Sequence, residues 1–462
     1  MAQVIELNPE AETSEIDHAN ELIKANEIDR AYTVLEKVLM HEPMNAPALV
    51  LMSVVMKKAG KIALAYPLAK LASQLRPDRY ETWNGLGHAG QLLWKLDEGE
   101  ANYRKALKYV RGPVQRGQVL NNLCSVYLDR GKFADAEPLA RESLALDDDP
   151  MTRHNLALAL LGQRKWKEGW PYYTSSVGTQ NRLRVKYRNP GEPDWDGTKG
   201  KTIVVYGEQG LGDEICAASM VPDAAKDCKK LILDCDKRLE KLFRRSFPQA
   251  SVFGTRWEKS IHWPGVEQSE IAASCAGFEL GKFYRNSDAD FPGTPYLTPC
   301  PDRTAMWKGL WAQKRKPVIG IAWTGGNWHN GSMNRNLPLA EWKPIFSAID
   351  AHWVSLQYRD ASQEIQGTPV VQHPFATLTK DYDDTAALVA SCDLVIGMQT
   401  SVNHLAGALG VPCWIILPST SQWRYGEEYD TLPWYQSVRI FRQIKNRWPV
   451  HDIANELQSR FS

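Results

Sequence analysis

The sequence lacks most of the features that announce a function outright. Its eight cysteines (Cys124, Cys216, Cys228, Cys235, Cys275, Cys300, Cys392, Cys413) include no C-x-x-C pair. In a chain this long they read as buried reduced thiols, not as a disulfide or zinc framework. Neither H-E-x-x-H nor G-x-S-x-G occurs, so zinc peptidase and serine hydrolase have no support. No run approaches the ~18 apolar residues of a membrane span. The opening MAQVIELNPEAETSE is acidic and has no apolar core, so a signal peptide is not expected and a cytoplasmic, non-membrane protein is. Excess charge is missing too: 55 Lys+Arg stand against 54 Asp+Glu, a net +1. Nothing in bulk electrostatics calls for nucleic acid or an anionic surface. Locally, residues 43–197 carry 23 basic and 16 acidic side chains, and this mild surplus is the one motive for a nucleic-acid acceptor.

What is present is ordinary globular composition, 43% hydrophobic and 24% charged over 462 residues, which predicts two or three domains. The first third repeats itself. Pro43 and Pro77 lie 34 residues apart, and small residues recur at Ala31, Ala65, Gly99, Ala136 and Gly169. In the unit beginning near Tyr80, Trp83, Leu86, Gly87, Tyr103 and Ala106 occupy the large, small and aromatic places of a tetratricopeptide repeat. Small residues let paired helices approach, large ones fill the gap between pairs, and proline ends the second helix. Four repeats are expected at 12–45, 46–79, 80–116 and 117–149, with a partial fifth from Pro150 to about Tyr173. Such an array serves either to hold an acceptor or partner in its groove or as a packing arm, a homodimer included, and the sequence does not choose.

The texture changes at RNPGEPDWDGTKGK, which is rich in Pro, Gly and charge and reads as a connector. Beyond it, short apolar runs alternate with helical patterns. TIVVYG (202–207), KLILDCD (230–236) and ASVFGT (250–255) read as strands of one parallel sheet. KPVIGIAWTG (316–325), WVSLQY (353–358), CDLVIG (392–397) and CWIILP (413–418) read as strands of a second. The segment from Pro449 to Phe461 has an amphipathic helical pattern that can pack back across both lobes.

Three turns carry chemical content. GEQGLGDEI, Gly207 to Ile215, follows the first strand, and its glycines allow a ligand to approach backbone N–H groups at a helix start. Its G-x-x-G-x-G spacing is not the dinucleotide fingerprint. Gln209, Gly210 and Gly212 line that turn, and Asp213 is either the helix's own first-turn acid or a catalytic base. MQTSVNHLAGALGVP, Met398 to Pro412, follows another strand. There Thr400 and Ser401 either cap the helix or leave its positive end to a phosphate, and His404 either meets a ribose or packs. WTGGNWHNGSMNRNLPL, Trp323 to Leu339, offers Gly325 and Asn327 in a close-approach turn and Arg335 as a cation for a leaving diphosphate. Gln357 ends a strand at the same edge, where a base could bond to it, and Asp384 most simply caps a helix. Asp234-x-Asp236 and Asp288-x-Asp290 match a metal-dependent sugar-transfer pattern only in letters, so no metal is expected.

Taken in order, the repeats, W-D-G, GEQGLGDEI, IAWTGGN, RNLPLAEW, SLQ, DDTAAL, HLAGALGVP and QWRYG…PWYQSVRIFRQ resemble the bacterial tetratricopeptide proteins with a heptosyltransferase-like glycosyltransferase domain. The layout is similar to O-GlcNAc transferase. The resemblance implies α plus α/β architecture: a tetratricopeptide α-solenoid (1–173), a linker (174–200), and a GT-B pair of Rossmann-like doubly wound lobes (201–310 and 311–448) with a C-terminal helix (449–462). It implies inverting, metal-independent transfer from a nucleotide-sugar co-substrate, without a cofactor, to a protein or other macromolecular acceptor. Asp213 matches the family's base. The family's diphosphate-binding helix start carries over to Thr400 and Ser401, and with the residues read from the turns, Gln209, Gly210, Gly212, Gly325, Asn327, Arg335, Gln357, Asp384 and His404, they make up the expected donor site. Two positions depart from the family: Gln399 stands where Asp is usual, and Asn336 where a small hydroxyl residue is common. The alternative is a catalytically idle scaffold of the same fold.

Overall fold

In a computed structural model of the chain, the described residues are 9–177, 193–258, 261–313, 315–325 and 336–461, with side chains from residue 14 onward. Two compact units result, Met1–Ala159 and Leu160–Ser462. The boundary falls inside a helix, earlier than the expected end of the repeats at residue 173.

The first unit is made of helix pairs: α1 (Pro9–Lys24) with α2 (Ile28–His41), α3 (Ala46–Lys58) with α4 (Ile62–Leu75), α5 (Tyr80–Leu92) with α6 (Leu96–Tyr109), and α7 (Pro113–Asp129) with α8 (Phe133–Leu146). A fifth pair, α9 (Pro150–Gly162) and α10 (Trp166–Tyr173), continues the pattern. Each pair turns on one residue of positive φ: Asn26, Gly60, Trp94, Gly131 and Arg164. Only two of the five are glycine, although positive φ is strained for other side chains. The recurrence of the conformation is therefore imposed by packing and not by turn chemistry. Gly87 shows why small residues recur, since a β-carbon there would lie 2.8 Å from the Tyr103 ring. These repeats resemble a tetratricopeptide solenoid.

The second unit holds two parallel sheets. The first contains β1 (Thr202–Tyr206), β2 (Lys230–Asp234), β3 (Ala250–Phe253) and β4 (Ala273–Ala276) in the order β3-β2-β1-β4. The second contains β5 (Val318–Ala322), β6 (His352–Ser355), β7 (Val370–Gln372), β8 (Leu394–Met398), β9 (Cys413–Leu417), β10 (Thr431–Leu432) and β11 (Tyr435–Arg442). Its order is β10-β11-β9-β8-β5-β6-β7, with only β10 antiparallel. In both sheets the winding reverses beside the first strand, between β1 and β4 and between β5 and β8. The carboxyl ends of those strands are where α/β sheets leave a crevice for ligands.

Besides α10, which falls in this unit, its helices among the described residues are α11 (Leu211–Ala217), α12 (Val221–Asp227), α13 (Glu240–Ser246), α14 (Gly281–Tyr284), α15 (Pro301–Ala312), α16 (Lys343–Phe346), α17 (Pro374–Thr377), α18 (Tyr382–Val389), α19 (Ser401–Leu409) and α20 (Val450–Phe461). The helix expected at the C-terminus is α20. It packs on the second sheet's core, where Ile453 and Leu457 join Trp342, Ile345 and Phe441. Among the described residues no helix is long and apolar enough to cross a membrane. The cysteines are free thiols, six of them buried.

Candidate functional site

The site grows from two short strand-to-helix turns that meet. After β1, the chain turns through Gly207–Gly210 into α11. Gly210 opens the helix, and Asp213, three residues on, accepts the Gly210 N–H on Oδ2 at 3.0 Å. After β8, Thr400 opens α19 in extended conformation, but its side chain makes no capping bond. The first N–H groups of a helix have no partner within it, so α19 presents amides with nothing in front of them from its own cap. Gly410, at φ 75°, closes the helix in the left-handed conformation that favours glycine.

The two helix starts touch. A β-carbon on Gly212 would lie 3.1 Å from Ser401 Cα and 3.1 Å from His404 Cδ2. Asp213 Oδ1 lies 2.7 Å from Nη1 of Arg424. Tyr382 donates to Ser401 Oγ at 3.1 Å, and a β-carbon on Gly325 would run into the Thr400 methyl. Ion pairs hold the sheets' helices together here: Lys241 of α13 reaches Asp381 at 2.7 Å, and Arg245 grips Asp383 with two bonds of 2.8 Å. The carboxylates at the start of α18 suit its helix dipole, and Lys241 and Arg245 pair with them from α13.

Gly210, Gly212, Asp213, Gly325, Thr400, Ser401 and His404 are therefore gathered in one place. The other expected residues are engaged elsewhere. Gln209 donates to the Tyr173 hydroxyl at 3.0 Å. Gln357 is 1% exposed, and its amide pairs with the backbone of Thr324, at 3.0 Å to the N–H and 3.1 Å to the carbonyl. That leaves no amide edge for a nucleotide base. Asp384 does not cap α18, because Asp381 accepts the Asp383 N–H at 3.1 Å; Asp384 instead pairs with Arg303 at 2.5 Å. Asn327 and Arg335 lie outside the described residues. Asn336 accepts the Gly325 N–H at 3.1 Å and so braces that turn. Of the dismissed acids, Asp234 accepts both the N–H and the hydroxyl of Thr255, and Asp236 pairs with Arg238.

His404 is buried between two tyrosines. It is 4% exposed, with Nδ1 3.2 Å from the Tyr435 hydroxyl and Nε2 3.3 Å from that of Tyr425. Burial, with Arg424 adding repulsion, pushes its pKa down to about 3, so the ring is neutral.

Sequence reasoning missed Arg424, though QWRYG contains it. Arg424 is buried, lies across the Trp423 and Phe278 rings at 5.4 and 5.8 Å, and donates to Gln422 at 2.7 Å. A lone arginine in the segment after β9 gives no sign of reaching back to α11. Glu214 was also missed. It lies buried beneath Gly207, ion-paired with Arg256 and accepting the Asp236 N–H at 2.8 Å. Burial pushes its carboxyl up while Arg256 pulls it back.

No protein-family model matches the chain. It is 28% identical over 422 residues to Protein FlbA of Caulobacter vibrioides, covering 84% of this chain and 68% of that protein. Among solved structures, it is similar to pilF of Pseudomonas aeruginosa, with 21% identity, a TM-score of 0.34, and coverage of 37% of this chain and 78% of that one. A thermophilic TPR protein of Thermus thermophilus gives 20%, 0.33, 37% and 92%.

Proposed function

We propose that the chain is an inverting, metal-independent glycosyltransferase of the GT-B type, moving a sugar from a nucleotide-sugar to a hydroxyl of a protein or other macromolecular acceptor. One observation carries this reading: the acid-bearing start of α11 abuts the uncapped start of α19 at the carboxyl ends of two parallel sheets. In the proposed reaction the acceptor hydroxyl attacks the anomeric carbon as the bond to the diphosphate breaks. Asp213 takes the hydroxyl proton. The diphosphate leaves with the bonding electrons and is stabilised by the α19 amides and Arg424. The helical repeats supply acceptor recognition.

A second reading has an observation of its own. Both Asp213 oxygens are engaged, one by the Gly210 N–H and one by Arg424. A carboxylate committed in this way suits a scaffold that binds a partner without turnover. Incubation with UDP-, GDP- and ADP-sugars, read by donor hydrolysis and thermal shift, separates the two. Turnover of one donor supports the enzyme, whereas silence toward all of them supports the scaffold.

A further inference from the structure

Buried polar side chains are paired almost without exception, because a dry, unpaired amide forfeits the bonds it had with water. Gln399 breaks that rule. It is 6% exposed, and neither Oε1 nor Nε2 has a hydrogen-bond partner among the described residues. Beside it the Thr400 hydroxyl is also unpartnered, as is Nε of Arg424, which is 7% exposed. These residues are neighbours: Gln399 precedes Thr400, which opens α19, Gly212 backs onto Ser401, and Arg424 reaches Asp213 next to Gly212.

The fold has the means to satisfy an amide here. Asn403, one turn along, donates to the carbonyls of Gly397 and Met398, and Gln357 is paired on both atoms with Thr324. Among the described residues Gln399 is the buried side-chain amide left open on both atoms, immediately before a helix start that attracts negative charge.

We propose that Gln399 is a ligand-recognition residue that, with Thr400, holds a phosphate ester bearing a hydroxyl next to its phosphate. Nε2 donates to a phosphate oxygen and Oε1 accepts from the hydroxyl. An amide is the one side chain of this length that offers a donor and an acceptor without charge. A carboxylate in its place could only accept, and would set a negative charge against the phosphate. The inference rests on the proposed function and names the contact by which this site departs from the acid usual in the family it resembles.

The test uses the full chain with Gln399→Met, which keeps the shape and removes both polar atoms, and Gln399→Glu, which keeps the shape and adds charge. Melting is followed without ligand, and binding of UDP-, GDP- and ADP-sugars and of inorganic pyrophosphate is followed by calorimetry. In Gln399→Met, the ligand-free protein should melt on the order of 2 °C higher and bind its nucleotide-sugar about tenfold more weakly. Gln399→Glu should lose more than that, and should lose pyrophosphate as well. Wild-type affinity in Gln399→Met would overturn the assignment. If the wild type binds none of these probes, the glycosyltransferase reading fails first. The melting arm then decides: a higher melting temperature in Gln399→Met keeps Gln399 as a recognition residue, and a lower one makes it a packing residue and ends the proposal.

Discussion

The two parallel sheets reverse their winding in the same way, yet they finish the crevice differently. In the first sheet the crevice is filled by the protein itself. Glu208 accepts the Phe278 N–H at 3.3 Å, Glu279 accepts the Ala276 N–H at 3.1 Å, and Phe278 packs against Tyr173 and Trp423. What is left between Gly207, Glu208, Asp213 and Phe278 is a cavity of about 20 Å³, room for a single water. At the carboxyl end of β8 in the second sheet, Gln399 and Thr400 keep polar side-chain atoms without a partner among the described residues. Identical topology therefore does not give identical use. One crevice is plugged, while the other keeps polar groups without a partner among the described residues.

The sharpest way to break this contrast is at the acid. Asp213→Asn should lower transfer by about 10²- to 10⁴-fold while leaving donor affinity close to wild type, measured by product formation and calorimetry. Wild-type turnover would remove Asp213 from the chemistry. At the plug, Phe278→Ala should cost about 3 to 5 kcal/mol of stability, because Phe278 is fully buried. Its nucleotide affinity should not change, and a parallel loss of affinity would place the ligand in the first crevice. At the seam, Gly212→Val should cost about 1 to 3 kcal/mol, since the space for its side chain is taken by Ser401 and His404. An unchanged urea midpoint would mean that the seam yields freely.

Stability should also depend on pH. His404 takes no proton in the fold until about pH 3, whereas an unfolded histidine takes one near 6.5. Its contribution is therefore flat above about pH 6.5 and falls as pH drops toward 3, by up to about 1.4 kcal/mol per unit. Urea unfolding between pH 7 and 4 should show this slope, and His404→Gln should flatten it.

Much of the architecture was legible because its signals are local. Helix pairs followed from 34-residue spacing, and seven strands from apolar runs. The four unread strands lack that signal: Ala273–Ala276 is short and small, Val370–Gln372 spans three residues, Thr431–Leu432 spans two, and Tyr435–Arg442 mixes buried with exposed positions. At the site, glycine turns and the acid on α11 were readable from neighbours in the chain. Arg424 and the pairing of Gln357 with Thr324 were not, since those partners are 211 and 33 residues distant and are joined only by the fold.

The most direct test is a crystal structure of the full chain with the nucleoside diphosphate of whichever donor it binds. The account predicts the β-phosphate at the start of α19, within hydrogen-bond reach of the Ser401 and Val402 N–H groups and of Gln399. A nucleotide seated at the Gly207–Gly210 turn of the first sheet would contradict it.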